Sequence, residues 1–307
     1  MDRKDRLTAS DFHPEVLKLF DGFVHGTKTR RDFLDGAARF AVGGFTAAAM
    51  LEALQPNFAW AQQIPKTDPR IKTSRVDYDS PNGHGKMNGY LVVPAKAKGK
   101  LPGVLVIHEN RGLNPYIEDV ARRLAVHGFV AFAPDALAPL GGYPGNEDTA
   151  RDMFAKQDVK KRNEDLAQAA SVLKTRAEFG GKWGSIGFCF GGGVVNLLAT
   201  RFPDMAAGVP YYGVQVPASE VPKIKAALLV QYASDDPRIN DGWPAFEAAL
   251  KANNVRHEMH MYTNTQHGFH NDTTPRYDQT AATLSWDRTV AFFNKHLMPT
   301  AIGAKRR

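Results

Sequence analysis

Short apolar runs alternate with stretches of helical spacing through most of this chain. Residues 101–108 (LPGVLVIH) form a continuous apolar run, the pattern of a strand buried on both faces. Before it, residues 73–79 and 87–93 alternate in polarity around Pro81-Asn82-Gly83, which predicts two paired strands. Ile117, Val120, Ala121 and Leu124 give 116–127 helical spacing, ended by Gly128. Residues 129–134 (FVAFAP) predict the next buried strand. Residues 163–179 are amphipathic, with Leu166, Ala169, Ala170 and Leu173 on one face and Gly180-Gly181 as the stop. Further strands are predicted at 182–186, 206–212, 226–232 and 257–262, and helices at 192–199, 243–253 and 277–296. Strands alternating with helices specify an α/β fold with a mostly parallel sheet covered on both faces.

The pattern changes ahead of residue 62. Thr29-Arg30-Arg31-Asp32-Phe33-Leu34 resembles a twin-arginine export motif, followed by an apolar stretch at 37–54 and a small-x-small site, Ala59-Trp60-Ala61. Residues 1–61 are therefore expected to be a leader, with 1–28 as its flexible front, outside the fold. The expected partner is the twin-arginine export machinery, and the expected destination is the periplasm or beyond. Residues 62–72 contain Pro65 and Pro69 and are expected to be a linker. A hydrolase-type domain at 73–300 and a basic tail at 301–307, ending Lys305-Arg306-Arg307, complete the division. No run reaches the ~18 apolar residues of a membrane span, so none is expected to remain after cleavage.

Composition narrows the chemistry. A hydrophobic content of 43% supports a sizeable core, and a single cysteine excludes an internal disulfide. The net charge is +7, without the basic stripe interleaved with aromatics that nucleic acid requires. His257 and His260 stand three apart on a strand and so point to opposite faces, which argues against a metal pair. Gly191-Gly192-Gly193 lacks a following Lys-Ser/Thr and fits no dinucleotide fingerprint. Neither a metal nor a cofactor is expected.

The one cysteine, Cys189, sits in Gly187-Phe188-Cys189-Phe190-Gly191, between a predicted strand and a predicted helix. This Gly-x-nucleophile-x-Gly pattern is that of the nucleophile elbow of α/β-hydrolases, with sulfur in place of serine oxygen. No Gly-x-Ser-x-Gly competes with it. In that fold an acid and then a histidine follow the nucleophile in chain order. Asp235-Asp236 follows the strand 226–232, and His267 follows the strand 257–262. The oxyanion hole is expected from backbone N–H groups of Phe190 and Asn110. His270 is expected to line the pocket or face solvent.

Gly187-Phe188-Cys189-Phe190-Gly191-Gly192, Tyr232-Ala233-Ser234-Asp235-Asp236-Pro237-Arg238-Ile239 and His267-Gly268-Phe269 together resemble the dienelactone hydrolase family, over about residues 73–298. The resemblance implies an α/β-hydrolase fold and hydrolysis of a small ester or lactone through an acyl-enzyme. It selects Asp236 over Asp235, giving Cys189, His267 and Asp236 as the catalytic set. It also implies that Glu109 contacts the resting cysteine, which should leave the thiol mostly protonated. Two arginines that hold a substrate carboxylate in the family are missing, one from 136–139 and one from position 271, which is Asn271. A neutral or larger ester or lactone is therefore expected in preference to dienelactone, unless Arg111, Arg238 or Arg276 restores the charge. Tyr143, in the Gly/Pro-rich loop 136–146, is a further candidate for the substrate pocket. The rival class is an exported binding or redox-sensing protein without turnover; peptide hydrolysis shares the same set of side chains.

Overall fold

The computed structural model describes residues 6–97 and 99–299, so the basic tail lies outside the described residues. Eight strands form one sheet: β1 Ile71–Ser80, β2 Gly85–Pro94, β3 Leu101–Ile107, β4 Val130–Pro134, β5 Phe179–Phe188, β6 Met205–Tyr211, β7 Ala227–Asp235 and β8 His257–Gln266. Their order is β1-β2-β4-β3-β5-β6-β7-β8. The β1–β2 and β2–β4 pairs are antiparallel, and all later pairs are parallel. Alternate residues of β3 serve opposite faces, as strand geometry demands. Leu105 and Ile107 pack with Leu166, Leu173 and Leu198. Val104 and Val106 pack with Ile117, Leu124 and Phe293.

Ten helices accompany the sheet among the described residues: α1 Pro14–Val24, α2 Arg30–Ala37, α3 Ala47–Leu54, α4 Pro115–Val126, α5 Glu147–Ala155, α6 Val159–Thr175, α7 Phe190–Arg201, α8 Pro237–Asn240, α9 Trp243–Ala252 and α10 Gln279–Leu297. Several differ from expectation within the domain, and the short α8 lies where only a loop was expected. The helix expected at 163–179 starts earlier and ends at Thr175, because Phe179 pairs with Leu101 and belongs to β5. Helix α5 was not visible as a separate element beyond the loop 136–146.

The larger difference is at the front. The stretch expected to be a flexible leader is folded, from a 3-10 turn at Ala9–Asp11 onward. Val16, Leu17, Phe20 and Phe23 form one stripe on α1, and a stripe of that size needs a partner. It finds Phe33 of α2 and Met50, Leu51 and Leu54 of α3, making a third, separate cluster.

The end of the expected leader and the start of the expected linker are likewise docked. Asn57 N donates to the Thr273 carbonyl at 2.8 Å and Ile64 N to Asp119 at 2.9 Å. Arg122 donates to the carbonyls of Ala61 and Ile64, and Gln63 donates to Asp272 at 2.6 Å. Asp119, Arg122, Arg123 and Asp272 are buried and mutually paired, which is how buried charge is tolerated. None of the described helices is long and apolar enough to cross a membrane.

Candidate active site

The elbow follows β5 directly. Cys189 adopts φ 56° and ψ −115°, an unfavourable conformation for a residue with a Cβ. Close backbone crossings surround it. A Cβ on Gly187 would lie 2.1 Å from the Gly191 carbonyl oxygen, and one on Gly191 would lie 2.3 Å from that of Ile107. Only glycine permits this approach. Phe190 opens α7, so its N–H has no acceptor within the helix.

The loop after β8 brings His267 to the same place. Its Nδ1 donates to Asp236 Oδ2 at 2.6 Å, and both residues are buried. Asp235 is exposed. The Nε2 of His267 is buried and has no hydrogen-bond partner, and the ring has a nitrogen within 4.8 Å of Cys189 Sγ. Burial lowers the pKa of His267, but the charges of Cys189 and Asp236 overcome it and raise it to about 10.

Glu109 and Asn110 follow β3 and line the cavity over Cys189 with Arg111, Asn271 and Arg276. Asn271 Nδ2 donates to Glu109 Oε2 at 3.1 Å, so the residue standing at the family's arginine position serves the glutamate. Burial, and then the charge of Cys189, push Glu109 up to about 7. The stretch at the other arginine position is apolar, with Ala136 and Leu137 buried.

The candidate substrate residues divide. Arg111 is committed to Asn110, the Val24 carbonyl and Glu147. Arg276 faces Asp21 at 3.6 Å and keeps Nε and Nη1 without hydrogen-bond partners. Arg238 Nη2 lies 2.9 Å from His25 Nε2 and 3.2 Å from His267 Nδ1. Tyr143 donates to Glu147 at 2.8 Å and lines a neighbouring surface recess. His270 neither lines the pocket nor meets solvent. It is buried between Phe188 and Trp286 and bonds Tyr116.

Sequence reasoning missed His25 and Asp21, because both lie in the segment set apart as a leader. His25 Nε2 is 3.5 Å from Cys189 Sγ, and its Nδ1 donates to the Asp21 carbonyl at 2.8 Å. The Asp21 carboxylate is 3.2 Å from the same Nδ1. The signal was the apolar stripe of α1, the mark of a helix that packs on a partner.

This neighbour reverses one expectation. Burial raises the Cys189 thiol, but His267 and His25 together outweigh it and hold the thiol well below its usual range. The thiol was expected to be mostly protonated beside Glu109. Instead the thiol is shifted down and the Glu109 carboxyl up, and the sulfur sits between two histidines.

His25, Cys189 and His267 offer ligand atoms within 4.8 Å of one another. Their chemistry suits a borderline divalent ion such as zinc. The Arg238 guanidinium beside His25 sets a positive charge against such an ion.

The sheet order and the strand-elbow-helix crossing are those of an α/β-hydrolase fold, and they place a cysteine beside a histidine that bonds an aspartate. The sequence profile of the dienelactone hydrolase family matches residues 87–297, and the chain belongs to that family. It is a hydrolase of the dienelactone hydrolase type. A second profile, described as YqhI-like, matches residues 3–41, the part that carries α1, α2 and His25.

Protein usf of Aquifex pyrophilus is 34% identical over 224 residues, covering 69% of this chain and 94% of its own length. A candidate hydrolase fragment of Escherichia coli K12, YghX, is 57% identical over 113 residues, covering 37% of this chain and 97% of the fragment. The crystal structure of a candidate dienelactone hydrolase from Klebsiella pneumoniae superposes with a TM-score of 0.64 at 26% identity, over 73% of this chain and 100% of that one.

Proposed function

We propose that the protein hydrolyses an ester or lactone without a cofactor, using Cys189 as nucleophile, His267 as acid and base, and Asp236 to orient the imidazole. The observation carrying this is the positive-φ cysteine at the elbow, facing a buried His267 whose far nitrogen is held by Asp236. The Cys189 thiolate attacks the carbonyl carbon, and the carbonyl electron pair moves onto oxygen. The N–H groups of Phe190 and Asn110 receive that oxyanion. As the C–O bond breaks, His267 Nε2–H protonates the leaving alkoxide. His267 then takes a proton from water, whose oxygen attacks the thioester and expels the thiolate.

A neutral acyl substrate fits this site better than dienelactone. Both family arginine positions are occupied by uncharged residues, and Arg276 is offset by Asp21. The depressed thiol also favours a second reading, a redox-sensing protein without turnover, since thiolates are what oxidants attack.

One panel tests these readings: kcat/KM for neutral esters, their amides and dienelactone. Ester turnover is expected, to be abolished in Cys189→Ala with little change in melting temperature. His267→Ala should cost a comparable factor, and Asp236→Asn more than Asp235→Asn. Turnover surviving in Cys189→Ala ends the mechanism. A clear preference for the anionic lactone ends the neutral-substrate reading.

A further inference from the structure

The N-terminal helices do more than wall the site. Phe20 and Val24 of α1 and Leu54 at the end of α3 line the cavity over Cys189, whose free volume is about 30 Å³. That is room for water and too little for an ester. Beside it His25, which caps α1, stands against the sulfur at 3.5 Å, edge-on to His267 with ring centroids 4.7 Å apart.

The arrangement repeats the logic of Asp236 and His267. In each case one ring nitrogen is held from behind, at Asp236 for His267 and at Asp21 for His25, while the other faces the cysteine. We propose that His25 is a positioning residue of the resting enzyme: with the N-terminal helices closed it pairs with Cys189 as a second histidine, keeps the sulfur ionised, and yields its place to the incoming acyl group. His267 then carries the chemistry alone.

The surrounding charges bear on this pairing. Arg276 stands beside Asp21, Glu109 lines the far wall, and Arg238 approaches His25 Nε2 from α8. Arg238 can donate to that nitrogen only while it is bare. A ring protonated there turns its N–H to the sulfur and frees Arg238, which is exposed, to solvent.

This inference rests on Cys189 being the working nucleophile, but its test reads alkylation and not turnover, so the two fail separately. The rate of Cys189 alkylation by iodoacetamide is measured against pH in the full chain, in His25→Gln and in Asp21→Asn. In His25→Gln the midpoint of the profile should rise by about one pH unit, a tenfold change in ionisation. The plateau rate at high pH should increase, because the blocking ring is gone. Asp21→Asn keeps the ring in place and should shift the midpoint the same way by a smaller amount. It also provides the reading if His25→Gln does not fold. An unmoved midpoint in the folded variants overturns the proposal. So does a faster plateau with no shift, which would make His25 a plug and nothing more.

Discussion

Glu109 shows how one side chain can serve the site at the expense of the fold. Burial and the neighbouring sulfur push its carboxyl from 4.5 to about 7, so the folded protein holds that proton longer than the unfolded chain does. The sign follows from proton linkage. The cost is absent below the ordinary value and complete above the raised one, so stability falls as pH rises through that window. Replacing Glu109 with glutamine keeps an acceptor for Asn271 and removes the charge. The melting temperature of Glu109→Gln should therefore be a few degrees higher at pH 8 and unchanged near pH 4, a difference on the order of 3 kcal/mol or less. Equal melting temperatures at both pH values would show that Glu109 is not held protonated.

At the scale of elements, the elbow depends on backbone passing backbone. A methyl on Gly191 would meet the carbonyl oxygens of Ile107 and His108 at 2.3 and 2.7 Å, neither of which can rotate away. Gly191→Ala must therefore push α7 off β3. We expect a loss of about 1–3 kcal/mol, the usual range for overpacking, read as a lowered denaturation midpoint together with lost ester turnover. A variant as stable and active as the parent would show that the crossing is looser than described.

The elbow and the loops after β7 and β8 were legible in the sequence because each combines a strand pattern with unusual residues at its end. Helix α5 was not, since its start is hidden behind a Gly/Pro-rich loop. The end of α6 was missed because helical spacing ran into residues that β-pairing claims. His25 was invisible for another reason. Nothing local to it signals chemistry, and its role exists only once α1 is seated on the domain.

Across the whole molecule, the Arg30-Arg31 pair supports the proposal that the chain leaves the cytoplasm by the twin-arginine route. If it does, Arg30→Lys/Arg31→Lys should empty the periplasmic fraction of cells expressing the full chain. Unchanged periplasmic levels would remove the address. In the folded chain the same residues have other duties. Arg30 pairs with Asp148 at 2.9 Å, Thr29 caps α2, and Phe33 is wholly buried.

Those duties make the N-terminal segment a shared resource. If the chain is exported by that route, a receptor gripping residues 29–34 would compete with the packing of Phe33 on Phe20 and Phe23, and unseating α1 would draw His25 from the sulfur. Transport and a closed active site then become competing ligands for one stretch of chain. Linkage makes such competition reciprocal: whatever tightens the closed helices weakens the grip of the receptor by the same factor. A chain held at the membrane gate would be one whose cysteine stands open, and its sealing would wait for release.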